Sequence, residues 1–482
     1  MSDKSESRIA VNTPVLVIGA GPAGLTAAYE LCRGGVPVIV YDRGGEPGGI
    51  ARTVNYKGYR FDIGGHRFFT KQVMVQSLWH SLLGDDLLLR PRLSRIFYKG
   101  RFLDYPLKPL NVLHHLGVFA SIGIMGRYLW RKLQPISPEA SLADWVINRF
   151  GSRLYSMFFK SYTEKVWGIS CDRIGAQWAA QRIKGLSLRT AILNMFSPWR
   201  LGRRGEIRTL IEEFQYPRLG PGMMWDALCA AVTDRGGILS LECEVTAVHH
   251  ERGEVTGVKI VTRGDGKWQP AGHLISTMPL QQLVHALQPS PPIEVLAAAD
   301  RLRYRDFLTV ALIIDRAELF PDNWLYIHDP SLRVGRIQNY KNWSPEMVPD
   351  QSKTCLGLEY FCFEGDDLWS MADGGLIALA TRELVAVGLV TPDEVRDGAV
   401  IRMPKAYPMY DDGFDEAVAI VRNYLHTFSN LQVIGRNGMH RYNNMDHSML
   451  TAMLAVRNLS GEDNDLWSVN TESDYHESED VN

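Results

Sequence analysis

A chain of 482 residues can bury more than one core, and 45% hydrophobic with 22% charged residues is the balance of an ordinary globular protein. A formal net charge of −2 excludes the basic character of a dedicated nucleic-acid binder. The six cysteines (Cys32, Cys171, Cys229, Cys243, Cys355 and Cys362) form no CxxC and have no paired histidine spacing, which reads as reduced thiols rather than disulfides or a zinc site.

Residues 1–12 are polar and lack the apolar core of a signal peptide, so the cytoplasm is the expected compartment. Val15–Ile18 is a short apolar run that passes directly into Gly19-Ala20-Gly21-Pro22-Ala23-Gly24. A helical stretch, Leu25–Leu31, precedes a second apolar run, Val38–Tyr41, that ends in Asp42. Strand, glycine turn, helix, strand and acid make a complete dinucleotide-binding unit. Gly19 permits the tight turn, Gly21 lets backbone approach a pyrophosphate, and Gly24 lets helix and strand pack closely. The helix start offers free N–H groups and a positive dipole end to phosphates, and Asp42 is placed to accept from ribose hydroxyls.

Two more glycine turns follow, Glu46–Arg52 and Phe61–His66. An NAD fold has no need of them, whereas the longer FAD must also lay its isoalloxazine against backbone. The expected cofactor contacts here are Gly19, Gly21, Ala23, Gly24, Asp42, Arg43, Gly48, Gly49, Ile50, Ala51, Gly64, Gly65 and His66. The whole run resembles the N-terminal signature of flavoproteins in the amine oxidase, protoporphyrinogen oxidase and UDP-galactopyranose mutase superfamily, which implies FAD.

Beyond His66, Arg95–Tyr98 and Arg101–Pro106 read as a hairpin about Lys99-Gly100. Residues 112–130 are apolar nearly all round but too short in their uncharged part to span a bilayer, so a core or subunit-interface helix is expected, with peripheral membrane contact left open. Helical patterns run through Ala140–Phe159 and Ser161–Gly168 and resume at Ala176–Ile183; the arginine-rich 197–208 reads as a solvated loop. From Gly236 the pattern turns to strands, with Val245 expected near the adenine. Further strands are expected at 303–314, 354–363 and Leu431–Arg436, and helices at 376–387, 414–427 and Met445–Asn458.

The expected fold is α/β: an interrupted Rossmann-type FAD-binding domain (14–70, 205–285 and 428–460) with a helical insertion (110–204) and a mixed β-sheet substrate domain (71–109 and 286–427). Residues 461–482 read as a disordered acidic tail.

Phe158, Tyr162 and Trp167 cluster within ten residues, and Phe158 and Tyr162 share a helix face. Taken alone they fit core packing or base stacking equally, and Arg182 and Arg336 fit surface charge or diphosphate binding. The stretch Tyr155–Gly168 resembles the uracil-holding segment of UDP-galactopyranose mutases, with Phe158, Tyr162 and Trp167 at matching positions. That resemblance implies Arg182 and Arg336 as diphosphate ligands and Tyr326, Tyr407, Tyr442 and, more loosely, Tyr105 around the phosphates. It also implies His66 beside the flavin, and Gly435, Arg436, Asp446, His447 and Ser448 closing the flavin site. Trp343 and Thr163 depart from the family pattern and leave the sugar undefined.

The function so implied is a nucleotide-sugar mutase that interconverts pyranose and furanose rings of a UDP-linked hexose through an N5 sugar adduct of reduced FAD, with His66, Arg182 and Arg336 as catalytic residues. It would need an external flavin reductant; self-association is left open. The rival is an FAD-dependent oxidase or dehydrogenase acting on an amine, a porphyrinogen-like ring or a polyprenyl-type substrate. Fold alone does not choose between them.

Overall fold

The computed structural model describes residues 13–105, 118–176, 213–411 and 413–470. Its first sheet is parallel and has five strands, in the order Leu431–Val433, His273–Ser276, Val15–Ile18, Val38–Tyr41 and Ile238–Ser240. All four residues of the central strand are buried, which is why it reads as a continuous apolar run rather than an alternating one. Helix Pro22–Arg33 covers this sheet and packs against helices Gly222–Thr233 and Met445–Leu459. One apolar cluster joins this layer to a four-stranded sheet built on Glu244–Glu251 and Glu254–Thr262.

The largest sheet has seven strands, in the order Val395–Pro408, Tyr304–Ile314, Thr354–Cys362, Arg336–Asn339, Trp324–Ile327, Ser94–Tyr98 and Arg101–Asp104. Its pairs are antiparallel except Trp324–Ile327 with Ser94–Tyr98. Tyr304–Ile314 and Thr354–Cys362 are buried throughout, with helix Asp373–Val387 on one face. Val395–Pro408 carries a bulge: Arg305 pairs with Tyr407 and Phe307 with Met403, so three residues lie opposite Asp306 alone. Asp306 fills the gap by accepting from the Lys405 amide at 2.7 Å.

The expected hairpin is present, and Lys99 and Gly100 both have positive φ (50° and 74°), as a tight two-residue turn requires. Among the described residues the insertion contains helices Val118–Leu133, Leu142–Phe150, the short Ser152–Leu154 and Ser161–Trp167, the last preceded by a π-helical turn, Tyr155–Lys160. Ser141 and Asp144 form a capping box at the second. In Val118–Leu133, Ile124 and Tyr128 are buried while Leu129, Trp130 and Leu133 are exposed, so the helix is only partly packed. No helix among the described residues is long and apolar enough to cross a membrane.

Two expectations change. The strand expected over Leu431–Arg436 stops at Val433, because Gly435 adopts φ +80° and opens a short helical turn, Gly435–Gly438, with its amide held by Thr451 Oγ1 at 3.1 Å. The disorder expected from 461 does not begin there. Leu466, Trp467 and Val469 are buried, and Arg441 donates to the Trp467 and Val469 carbonyls: apolar anchors hold an otherwise acidic stretch.

The glycine turn shows how tightly the first layer is built. A Cβ on Gly24 would lie 1.8 Å from the Gly19 carbonyl oxygen, whereas a Cβ on Gly21 meets nothing within 4 Å. Gly24→Ala is therefore expected to lower stability in urea by about 1–3 kcal/mol. Gly21→Ala is expected to cost no more than about 1 kcal/mol yet weaken FAD binding. Equal loss of stability in the two variants would contradict this division of roles.

Candidate active site

The carboxyl ends of the parallel strands open into a cavity of about 630 Å³ that runs on to the face of the seven-stranded sheet. At its near end Gly19, Gly21 and Ala23 line the wall. Asp42 is fixed by two backbone amides, Ala20 N–H to Oδ2 at 2.6 Å and Gly44 N–H to Oδ1 at 2.7 Å. Each oxygen keeps a lone pair for a ribose hydroxyl. The second glycine turn is tied to the first, the Gly48 amide donating to Ala20 O at 2.8 Å. Arg43, Gly49, Ile50, Ala51 and Val245 also line this end. Arg52 joins them, its guanidinium donating to Gly49 O at 3.0 Å. Open space over Gly21 at a helix start, a carboxylate ready for ribose and a long cavity fit FAD.

Gly24, Gly48 and His447 do not line the cavity. Gly24 serves helix packing, and Gly48 (φ +99°) closes its turn against Trp225. His447 is turned inward, its Nδ1 accepting from the Asn444 amide at 3.3 Å in a capping box at helix Met445–Leu459. Its neighbours Asp446 and Ser448 do reach the cavity.

In the middle, Gly64, Gly65 and His66 form the wall. His66 Nε2 lies 2.9 Å from Ile63 O, so that nitrogen carries the hydrogen. Burial pulls its pKa down to about 4, and the charges of Arg436 and Arg336 add to this. Opposite, Arg436 donates to Asn443 O and Ala406 O and lies over the rings of Tyr442 (4.7 Å) and Tyr407 (5.6 Å), which stack on each other at 5.6 Å.

The far end is set by sheet register. Tyr326, Arg336 and Glu359 sit side by side on three adjacent strands. Glu359 has no exposed surface; it accepts from Arg336 Nε and from Gln338 Nε2, the latter at 2.7 Å. Burial alone would lower the Arg336 pKa, but Glu359 and the hydroxyls of Tyr162, Tyr407 and Tyr326 outweigh it and hold the value above normal. Tyr326 contacts Tyr105 (5.1 Å) and Tyr162 (5.5 Å), and Tyr162 stacks on His328 at 4.7 Å.

Among the expected substrate residues, Tyr326, Arg336, Tyr407 and Tyr442 line the cavity, and Tyr105 and Tyr162 stand just behind them. Phe158 and Trp167 are buried in the core of the helical unit, against Tyr98 and Tyr442 respectively. Arg182, with the 197–208 segment and most of Ala176–Ile183, lies outside the described residues. The sequence reading missed Arg52, Arg67, Trp324, Gln338 and Lys405, all of which line the cavity. Arg67 follows His66 directly, and Glu359, the lone charge in the apolar run Thr354–Cys362, was itself a sign of a buried partner.

Because the folded His66 value lies below the ordinary 6.5, the unfolded chain takes the proton first. The contribution of this residue to stability is present above pH 6.5 and is lost as the pH falls from 6.5 towards 4. Its imidazole C–H resonance is expected to titrate near pH 4; titration near 6.5 would contradict the desolvated placement.

The sequence profile described as flavin-containing amine oxidoreductase matches residues 22–426. Phytoene desaturase (neurosporene-forming) of Cereibacter sphaeroides is 28% identical over 297 residues, 54% of this chain and 52% of that protein. The 4,4'-diapophytoene desaturase (4,4'-diapolycopene-forming) of Methylomonas sp. is 37% identical over 281 residues, 51% of this chain and 50% of that protein. The chain thus spans about half the length of these curated relatives. A crystal structure of reduced UDP-galactopyranose mutase superposes with a TM-score of 0.83 at 20% identity, covering 96% of this chain and 98% of that one, which is a likeness of fold.

Proposed function

Because the chain belongs to the flavin-containing amine oxidoreductase family and binds FAD, we propose that its cavity isomerises a nucleotide-linked sugar, interconverting the pyranose and furanose rings of a UDP-linked hexose. The observation that carries this reading is the charge on the substrate half of the wall. Arg67, Arg336, Lys405 and Arg436 line it, and among the described lining residues Asp446 is the acid on that side; Asp42, Glu46 and Glu244 belong to the nucleotide end. Such a wall suits an anionic substrate and repels an amine.

Glu359 holds Arg336 by Nε, which orients the guanidinium and leaves its terminal N–H groups to meet phosphate oxygens in a fixed fork. There the charge would stabilise a departing diphosphate, and Arg182 would share that work. Tyr326, Tyr407 and Tyr442 would exclude water and orient the phosphates. His66 stays uncharged at neutral pH, so positive charge at the reacting centre comes from the arginines. Bound and reduced, FAD would supply the nucleophile, and an external reductant would be needed to keep it so.

A second reading, hydride removal by oxidised FAD, is supported by the likeness to the two desaturases. The flavin redox state separates the two. UDP is expected to bind the purified yellow protein after dithionite reduction, and ring interconversion to require the reduced state. Absence of UDP binding in both redox states, with turnover of a hydrophobic donor by the oxidised form, would favour the desaturase reading. Arg336→Lys keeps a charge beside the buried Glu359 but loses the fork, and is expected to lower sugar turnover by ~10²-fold. Near wild-type turnover in this variant would sink the role given to Arg336.

A further inference from the structure

We propose that Asn470 is a positioning residue for the substrate wall: it closes the strap 466–470 onto the loop that carries Tyr442, and so sets how tightly the cavity holds its ligand. This rests on the reading that the substrate packs against Tyr442, and extends it to a stretch that lines no part of the cavity.

The strap is anchored on one side and hooked on the other. The Asn458 side chain pairs with the Asn464 backbone, Nδ2 to O at 2.9 Å and Oδ1 from the amide at 2.7 Å, which folds the chain back after helix Met445–Leu459. Leu466, Trp467 and Val469 are then buried in the apolar cluster of the FAD layer, with the Arg422 guanidinium 5.2 Å from the Trp467 ring. The polar hooks reach the other way, towards the cavity loop. Arg441, whose pKa burial pulls down, gives Nη1 to the Trp467 and Val469 carbonyls. Asn470 Nδ2 donates to Tyr442 O and to Asn443 Oδ1, both at 3.1 Å. It does so from φ +61°, a left-handed conformation that asparagine tolerates better than most residues.

The effect of the hook is seen at Asn443, which is buried with all four polar groups engaged. Its amide donates to Arg441 O at 2.7 Å and its Nδ2 to Gly435 O at 3.3 Å; its carbonyl accepts from Arg436 Nε at 2.8 Å. Those three partners lie within 435–443. The fourth, Asn470, ties that stretch to something outside it. Without this donor Oδ1 is left buried and unsatisfied, and the loop must shift to relieve it. What shifts is the wall itself: Arg436, held by the Asn443 carbonyl, and Tyr442, which stacks on Tyr407 and has the Arg436 guanidinium over its ring. The Tyr442 amide also donates to the Tyr410 hydroxyl at 2.5 Å, a second tie that remains when Asn470 is changed. Coupling of this kind is reciprocal, so a ligand on Tyr442 holds the strap down by the factor by which the strap tightens the ligand.

The test titrates the FAD-loaded, reduced protein with UDP, with a fluorotyrosine at position 442 as an NMR reporter. Asn470→Gly keeps the left-handed backbone and removes the donor. It is expected to raise the Kd for UDP at least ~5-fold, the scale of one lost hydrogen bond, and to shift or broaden the fluorine signal while FAD content stays as in the parent. Asn470→Asp keeps the shape but presents acceptors, and carries the same expectation should Asn470→Gly fail to fold. In the unaltered protein UDP is expected to slow hydrogen exchange of the Trp467 amide, which donates to Asp465 Oδ1 at 2.9 Å. Equal UDP affinity in parent and variant, or Trp467 exchange indifferent to bound UDP, overturns the positioning role and leaves the nucleotide reading standing. If UDP binds neither protein, yet the variant moves the fluorine signal, Asn470 does position the wall and the nucleotide reading falls. If UDP binds neither and the signal stays put, both fall.

Discussion

Where helix Pro22–Arg33 leaves strand Val15–Ile18 there is no room for a side chain, and the rest of the cavity is arranged around that near-contact. Gly24 presses on the Gly19 carbonyl, which brings the helix start to the mouth of the sheet. The second glycine turn then binds back to Ala20, and the carboxylate of Asp42 holds the Ala20 and Gly44 amides. The first two glycine turns and the end of the second strand are thereby fixed to one another through backbone amides. These cost little conformational freedom and leave the amide surface pointing at a ligand.

The opposite half of the cavity is held by a different device. Glu359 is a carboxylate with no exposed surface, kept in the interior by Arg336 and Gln338 from the neighbouring strand. Removing either charge would leave the other buried and uncompensated, so this pair orients far more than it stabilises. The two halves come from distant stretches of chain. The cavity between them is lined on one side by backbone and on the other by charged and aromatic side chains.

That difference also decides what was legible in the sequence. The nucleotide end could be read because its requirements are local: Gly19, Gly21, Gly24 and Asp42 lie within one strand–helix–strand unit and follow fixed spacing. The row of Tyr326, Arg336 and Glu359 could not, because register between strands is a tertiary fact with no spacing rule. Resemblance singled out Tyr326, Arg336, Tyr407 and Tyr442, which line the cavity, together with Phe158 and Trp167, which lie in the core of the helical unit. Local chemistry overturned two finer expectations. Gly435 ended a strand early, and Leu466 and Trp467 ordered a stretch that composition alone marked as disordered.

The bulge opposite Asp306 has a consequence for how this cavity can change by insertion and deletion. Four steps along one strand, from Met403 to Tyr407, match two along the other, from Phe307 to Arg305, so the excess is an even number of residues. Side chains alternate faces along a strand, and an even excess keeps both Met403 and Tyr407 on the cavity side. Loss of two residues here would shorten the rim carrying Lys405 and preserve the facing of Tyr407. Loss of one would turn that tyrosine away from the stacked pair it forms with Tyr442. The rim can therefore be remodelled in steps of two without disturbing the aromatic wall beneath it, a parity rule written into the strand.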